Sequence, residues 1–227
     1  MAKPMTEENF DTRGEATRLA LIHAGLELFG EYGFKATTTR MLADHAKANV
    51  SAIPYYFKNK EGLYTGVVEY IADQVRRQIG GTLANVSAAL DNPEFNKDEA
   101  RRHLLAMMAS LSYLFLENKE ARSWALILLK EQIKPSAAFD VVYDNIMRHV
   151  HQVISTLIAR VLECKPDDNI AIIKTHMLIG QILIFLSARE TLLRRLGVKE
   201  LTPEYLQMIQ ELLEQHVLAC VQVAEDA

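Results

Sequence analysis

The sequence is poor in cysteine, proline and glycine. Of its 227 residues only two are Cys, six are Pro and ten are Gly. Cys164 and Cys220 lie far apart and no C-x-x-C occurs, which argues against a disulfide framework and against a structural zinc site. No stretch alternates apolar and polar residues between hairpin dipeptides, so strands are not expected. No apolar run reaches the roughly 20 clean residues of a membrane span. The most apolar one, near Ile170 to Leu186, is interrupted by Lys174, His176 and Gln181. The first eleven residues carry acids and no apolar core of a signal peptide. Also missing are a Gly-rich phosphate loop, a nucleophile elbow, H-E-x-x-H and the Glu-x-x-His pairs of di-iron bundles. His149 and His151 stand two apart and do not share a helix face. Catalysis, a metal and a cofactor are therefore not expected. The chain reads as soluble, cytoplasmic and not membrane-bound.

What is present is helical periodicity. Hydrophobic residues make up 49% and charged residues 24%, enough apolar material for a substantial core. From about Thr12 to Tyr32, Leu19, Ile22, Leu26 and Phe29 recur on one helical face, and Gly33 ends the run. Thr38 is placed to cap a short helix carrying Met41, Leu42 and Ala46. A turn follows at Lys47 and Ala48. Asn49 is placed to cap a second short helix, Val50 to Tyr56. Asn59 then caps a long one from Lys60 towards Leu90, with Gly80 and Gly81 as points of kinking or fraying. After Asp91-Asn92-Pro93, five more helices are expected near 98–117, 119–133, 136–163, 168–195 and 203–224. The expectation is an all-α chain of about nine helices. Residues 1–11 form a disordered tail, 12–59 a three-helix head and 60–227 a helical body.

Net charge is −4, which speaks weakly against indiscriminate nucleic-acid binding. The balance reverses locally. Between Lys35 and Lys60 stand five bases (Lys35, Arg40, Lys47, Lys58, Lys60) and one acid, Asp44, giving a net +4. Two short helices joined by a tight turn allow the second to enter a major groove. Its small, hydroxylated start (Val50, Ser51, Ala52) permits close approach to base edges. Tyr55 and Tyr56 offer a flat face to thymine methyls and a hydroxyl to phosphate. Either tyrosine is equally suited to packing, and Ser51 to opening a helix.

At Leu28-Phe29-Gly30-Glu31-Tyr32-Gly33-Phe34-Lys35-Ala36-Thr37-Thr38, through Thr39-Arg40 and Asn49 to Tyr55-Tyr56-Phe57-Lys58-Asn59-Lys60-Glu61, the chain resembles the TetR family of regulators. The segments Lys130-Glu131-Gln132-Ile133-Lys134-Pro135-Ser136 and Thr175-His176-Met177-Leu178-Ile179-Gly180-Gln181, with Ala188 to Gly197, resemble its CecR-type subgroup. The resemblance implies a DNA-binding transcriptional regulator. It would be a homodimer on a pseudo-palindromic double-stranded operator, a repressor released by a small apolar or amphipathic effector. Thr39 and Arg40 would contact phosphate. Asn49, Val50, Ser51, Ala52 and Tyr55 would face the groove, and Tyr56 and Lys60 would hold phosphates. Ile22, Phe29, Leu42, Ile53 and Phe57 would form the core behind them.

Two positions depart from the family pattern. Lys47 stands where the turn glycine is usual and must adopt a left-handed backbone unless the turn differs. Pro54 lies inside the second short helix, where a regular interior loses about 3 kcal/mol, less if it falls in the first turn.

In the body, Ile182, Phe185, Leu186 and Leu193, and then Leu206, Ile209, Leu213, Val217 and Cys220, form two apolar stripes. The resemblance implies that they pair across a two-fold axis; the alternative is that they bury against their own chain. Residues suited to an effector pocket are Met107, Leu111, Tyr113, Phe115, Trp124, Leu128, Phe139, Tyr143, Met147, His176 and Phe185, with His151, Gln181, Arg189 and Glu190 as polar anchors. Met and aromatic residues at helical spacing serve equally as core. A regulator or adaptor without small-molecule sensing is the competing reading.

Overall fold

The structure, a computed structural model, describes residues 7–222 apart from Ala137, and their side chains except at 7–13, 119, 120, 122 and 123. The regular secondary structure of the described residues is all helical, without strands. The elements are α1 (Glu7–Ala36), α2 (Thr39–His45), α3 (Ala52–Phe57), α4 (Lys60–Leu90), α5 (Lys97–Leu116), α6 (Lys119–Ile133), α7 (Phe139–Val142), a π-helical segment (Tyr143–Met147), α8 (Arg148–Leu162), α9 (Asn169–Ser187), α10 (Arg189–Leu196) and α11 (Pro203–Cys220). Among the described residues there are eleven α-helices where about nine are expected, because long patterns divide. The run expected at 136–163 holds a π-helical stretch, and that expected at 168–195 breaks at Ala188, whose φ and ψ are −116° and 25°. Of the expected tail, residues 1–6 lie outside the described residues, and α1 already includes Glu7 to Asp11. Gly80 and Gly81 do not interrupt α4.

The chain divides into two compact units: Met1–Asp73 with Ser123–Val142, and Gln74–Arg122 with Tyr143–Ala227. The first unit extends past the expected boundary at residue 59. The reason is burial: Leu63, Val67 and Ile71 of α4 and Trp124 and Ile127 of α6 belong to it and are fully buried. Ile22, Phe29, Leu42, Ile53 and Phe57 are all buried, as the head's core requires, whereas Leu19 is 40% exposed. The second unit buries Leu104, Met107, Leu114, Ile154, Leu157 and Ile158 on α5 and α8. A capping box starts α5: Asn96 accepts from the Asp98 and Glu99 amides, each at 3.0 Å, and Glu99 reaches back to the Asn96 amide.

Of the two apolar stripes in the body, Ile182, Leu193, Ile209, Leu213 and Val217 are buried inside their own chain, whereas Phe185, Leu186, Leu206 and Cys220 are half-buried. The faces left open are other ones: Ile170, Ile173, Met177 and Ile184 on α9, and Met208 and Leu212 on α11. α9 is long and apolar enough to cross a membrane by length and composition alone, with a mean hydropathy of 1.8. Its Lys174 ammonium donates to the Cys220 carbonyl of α11, and Thr175, Leu178 and Ile182 are packed inward. These contacts mark a helix with one side in a protein core.

Candidate nucleic-acid interface

The head is assembled from local caps. Thr38 is extended (φ −103°, ψ 157°), and its Oγ1 accepts the Met41 amide at 3.2 Å, which starts α2. Leu42 and Ala43 turn inward; Arg40, two residues into the helix, turns out. The turn to α3 is closed by the Lys47 amide on the Asp44 carbonyl (3.2 Å) and the Ala48 amide on the Ala43 carbonyl (2.9 Å). Lys47 takes φ 51°, the left-handed backbone its position requires. An L side chain pays for that conformation, typically about 1–2 kcal/mol, where glycine would not.

Asn49 Oδ1 accepts both the Ser51 amide and the Ser51 hydroxyl at 2.9 Å, which fixes the lead-in to α3. The helix begins at Ala52 rather than Val50, so Pro54 is its third residue. The Val50 carbonyl is already bonded by the Ile53 amide, and Pro54 interrupts nothing. Ile53 and Phe57 point into the core, leaving Val50 42% and Tyr55 79% exposed. Ser51 is exposed as well, while Ala52 and Tyr56 are half-buried. The Tyr55 and Tyr56 rings meet edge to face with centroids 4.7 Å apart. Asn59 Oδ1 accepts the Gly62 amide at 2.8 Å and caps α4.

The structure therefore brings Arg40, Asn49, Val50, Ser51 and Tyr55 to the outside of the α2–α3 pair. Thr39 is half-buried. Lys60 is placed differently from the expected phosphate contact. Its ammonium donates to the carbonyls of Phe34 and Thr37, each at 3.0 Å, and lies 4.3 Å from the Phe34 ring centroid. A cation satisfied by two carbonyls has less to offer an external anion.

The effector-pocket candidates divide. Met107, Leu111, Trp124 and Leu128 are buried; Phe115, Phe139, Met147, Phe185 and Arg189 are half-buried, and Tyr113, Tyr143, His176 and Glu190 exposed. Within the second unit, a cleft of about 470 Å³ is lined by Tyr143, Arg148, His151, Gln152, Ser155 and Thr175, among others. Only Tyr143 and the anchor His151 come from the sequence list. Burial, with the neighbouring His176, holds His151 below the usual imidazole value. Gln181 is half-buried, and its Nε2 is shut off from solvent with no hydrogen-bond partner among the described residues. No three His, Cys, Asp or Glu side chains gather as a metal site among the described residues.

The first unit also holds a polar clasp. Lys130 of α6 donates to the carbonyls of Phe29, Gly30 and Glu31 on α1, at 3.4, 2.5 and 3.2 Å. Beside it Glu131, only 3% exposed, accepts the Tyr64 hydroxyl at 2.6 Å and the amide and hydroxyl of Ser136. Burial and this carboxylate hold the Tyr64 phenol far above its ordinary value. The sequence marks Lys130 to Ser136 through resemblance only.

Two family models match this chain. Residues 21–67 match bacterial regulatory proteins of the tetR family, and residues 100–222 match the C-terminal domain of the HTH-type transcriptional dual regulator CecR. The CecR protein of Shigella flexneri is 31% identical over 205 residues, spanning 90% of this chain and 91% of that protein. The chain belongs to the TetR family, with a CecR-type C-terminal domain. The HTH-type transcriptional regulator RutR of Escherichia coli K12 is 32% identical over 75 residues, 30% of this chain and 35% of RutR. Solved structures share the fold at lower identity. The hemolysin II regulator HlyIIR superposes with a TM-score of 0.59 at 17% identity, covering 88% of this chain and 98% of its own. AibR, solved with isovaleryl coenzyme A and operator DNA, superposes at 0.63 with 13% identity, covering 88% and 97%. The chain is thus a TetR-family transcriptional regulator, and its relatives are regulators rather than enzymes.

Proposed function

We propose that the protein is a cytoplasmic homodimer that represses transcription from a pseudo-palindromic operator and is released by a small apolar or amphipathic effector. The observation that carries the DNA-reading part is the outward face of α2–α3. There Arg40, Ser51, Val50 and the 79%-exposed Tyr55 project from a head in which Thr38 caps α2 and Asn49 ties the lead-in to α3. Side chains of that kind, on such a frame, suit base edges and phosphates. Two heads are needed for two half-sites. The open apolar residues Ile173, Met177 and Ile184 of α9 supply a surface for the second copy.

For the effector, the solvent-shielded Gln181 Nε2, without a hydrogen-bond partner among the described residues, and the cleft at His151 support a polar anchor in an apolar body. AibR carries an acyl thioester of coenzyme A, which is the kind of amphipathic molecule proposed here. The competing reading, a regulator without small-molecule sensing, draws on the close burial of Met107, Leu111, Trp124 and Leu128. A thermal-shift panel of acyl thioesters and apolar amines separates the two, because a ligand bound by the native state raises Tm by mass action.

The test of DNA reading is fluorescence anisotropy on the upstream intergenic DNA against a shuffled duplex, across salt. Native protein prefers its own sequence. Arg40→Ala flattens the dependence of log Kd on log salt by about one phosphate's share. Equal, weak binding to both duplexes by the native protein rejects the proposal.

A further inference from the structure

The break in α1 is held from outside. Gly33 has φ 79° and ψ 166°, so the helix loses its register there although it resumes to Ala36. The carbonyls of Phe29, Gly30 and Glu31, in the turn just before the break, are the three that Lys130 occupies. The ammonium lies 4.0 Å from where a Cβ on Gly33 would stand. A positive charge at a helix C-terminus also suits the helix dipole. Burial lowers the Lys130 pKa and the Glu31 carboxylate opposes this. On the far side of the break, Lys60 takes the Phe34 and Thr37 carbonyls, and the Thr37 hydroxyl donates to Leu28 and Gly33. Thr38, the cap of α2, follows directly. The chain's exit from α1 into the reading helices is therefore set by two lysines from two different helices.

We infer that Lys130 is a positioning residue for DNA reading: from α6 it fixes the angle at which the chain leaves α1 for α2, and so ties the pose of α2 and α3 to the C-terminal end of α6. Lys130 is not a DNA contact in this scheme. Its neighbour Glu131 anchors the same end of α6 to Tyr64 and to Ser136, so the α6 terminus cannot shift without straining a buried carboxylate. Any event that displaces this end of α6 is passed to α2 through the carbonyls of Phe29 to Glu31. An effector is one such event; a partner protein is another.

The inference rests on the DNA-binding reading for its affinity measurement only. Full-length Lys130→Met, which keeps the stem and removes the donors, is titrated on the upstream DNA beside native protein and Arg40→Ala. Hydrogen exchange of the backbone is followed without DNA. Lys130→Met is expected to bind about tenfold more weakly, with native salt dependence, and to exchange the amides of residues 34–38 at least about tenfold faster. Lys130→Arg, able to reach the same carbonyls, recovers most of both. Arg40→Ala changes the salt dependence and leaves exchange at 34–38 untouched. If Lys130→Met unfolds, Lys130→Gln retains a donor and takes its place with a smaller shift of the same sign. Native affinity together with native exchange at 34–38 overturns the inference. So does a loss of affinity with a reduced salt slope, which would make Lys130 a phosphate contact. Should native protein itself fail to select its DNA, the exchange result still decides whether Lys130 holds the α1 exit.

Discussion

The α2–α3 head and the helical body dispose of their conspicuous side chains in opposite ways. On helices of seven and six residues, the head buries two residues each and leaves the others half-buried or in solvent. On α5, of 20 residues, Met107, Leu111 and Leu114 are consumed by packing. A short capped helix has a free face by default, so an aromatic placed there is available to a partner. A long helix inside a bundle meets neighbours on several sides, and its Met and aromatic residues go to the core first. Availability, more than residue type, separates a contact residue from a packing one.

Stability tests this contrast most severely in the core. Trp124→Ala is expected to cost about 3–5 kcal/mol, since the indole is 1% exposed, with Met107→Ala following at about 2–5 kcal/mol. Denaturant midpoints read both. A cost below about 1 kcal/mol for either would return it to the pocket candidates. Tyr55→Ala should do the reverse. Its unfolding midpoint stays within about 0.5 kcal/mol of native, while operator affinity drops about tenfold or more. Smaller still is Lys47→Gly, expected to stabilise the head by about 0.5–1 kcal/mol by releasing the left-handed backbone at φ 51°.

The smallest effect is one of pH. His151 titrates below its ordinary 6.5 because burial and then His176 disfavour its charged form. The unfolded chain therefore takes up the proton first. Stability from the neutral ring is complete above about pH 6.5 and is lost as pH falls towards the depressed folded value. His151→Gln flattens the midpoint between about pH 7 and pH 5, and an unchanged slope would place the ring in water.

Much of the head was legible because its determinants are local. Thr38, Asn49 and Asn59 act within three residues of themselves, and the cost at Lys47 follows from a single backbone angle. The all-helical class followed from periodicity and from the scarcity of Gly and Pro. The α9 and α11 stripes were visible too, but periodicity does not say which neighbour an apolar face meets; Ile182 and Val217 face their own chain. The clasp escaped for a related reason. Lys130 and Gly30 are 100 positions apart, and nothing local to either announces the other. The same holds for Lys60, whose carbonyl partners lie 23 and 26 positions upstream.

Pro54 has a thermodynamic consequence. A six-residue helix has almost no stability alone, and reading helices of that length commonly gain order only on contact. A ring that fixes φ at the third position, beneath a lead-in already tied by Asn49, leaves few unfolded alternatives to α3. Little conformational entropy then remains to be lost on the operator. The heat-capacity change of association should match the apolar area covered at the interface, without the excess that accompanies folding on binding.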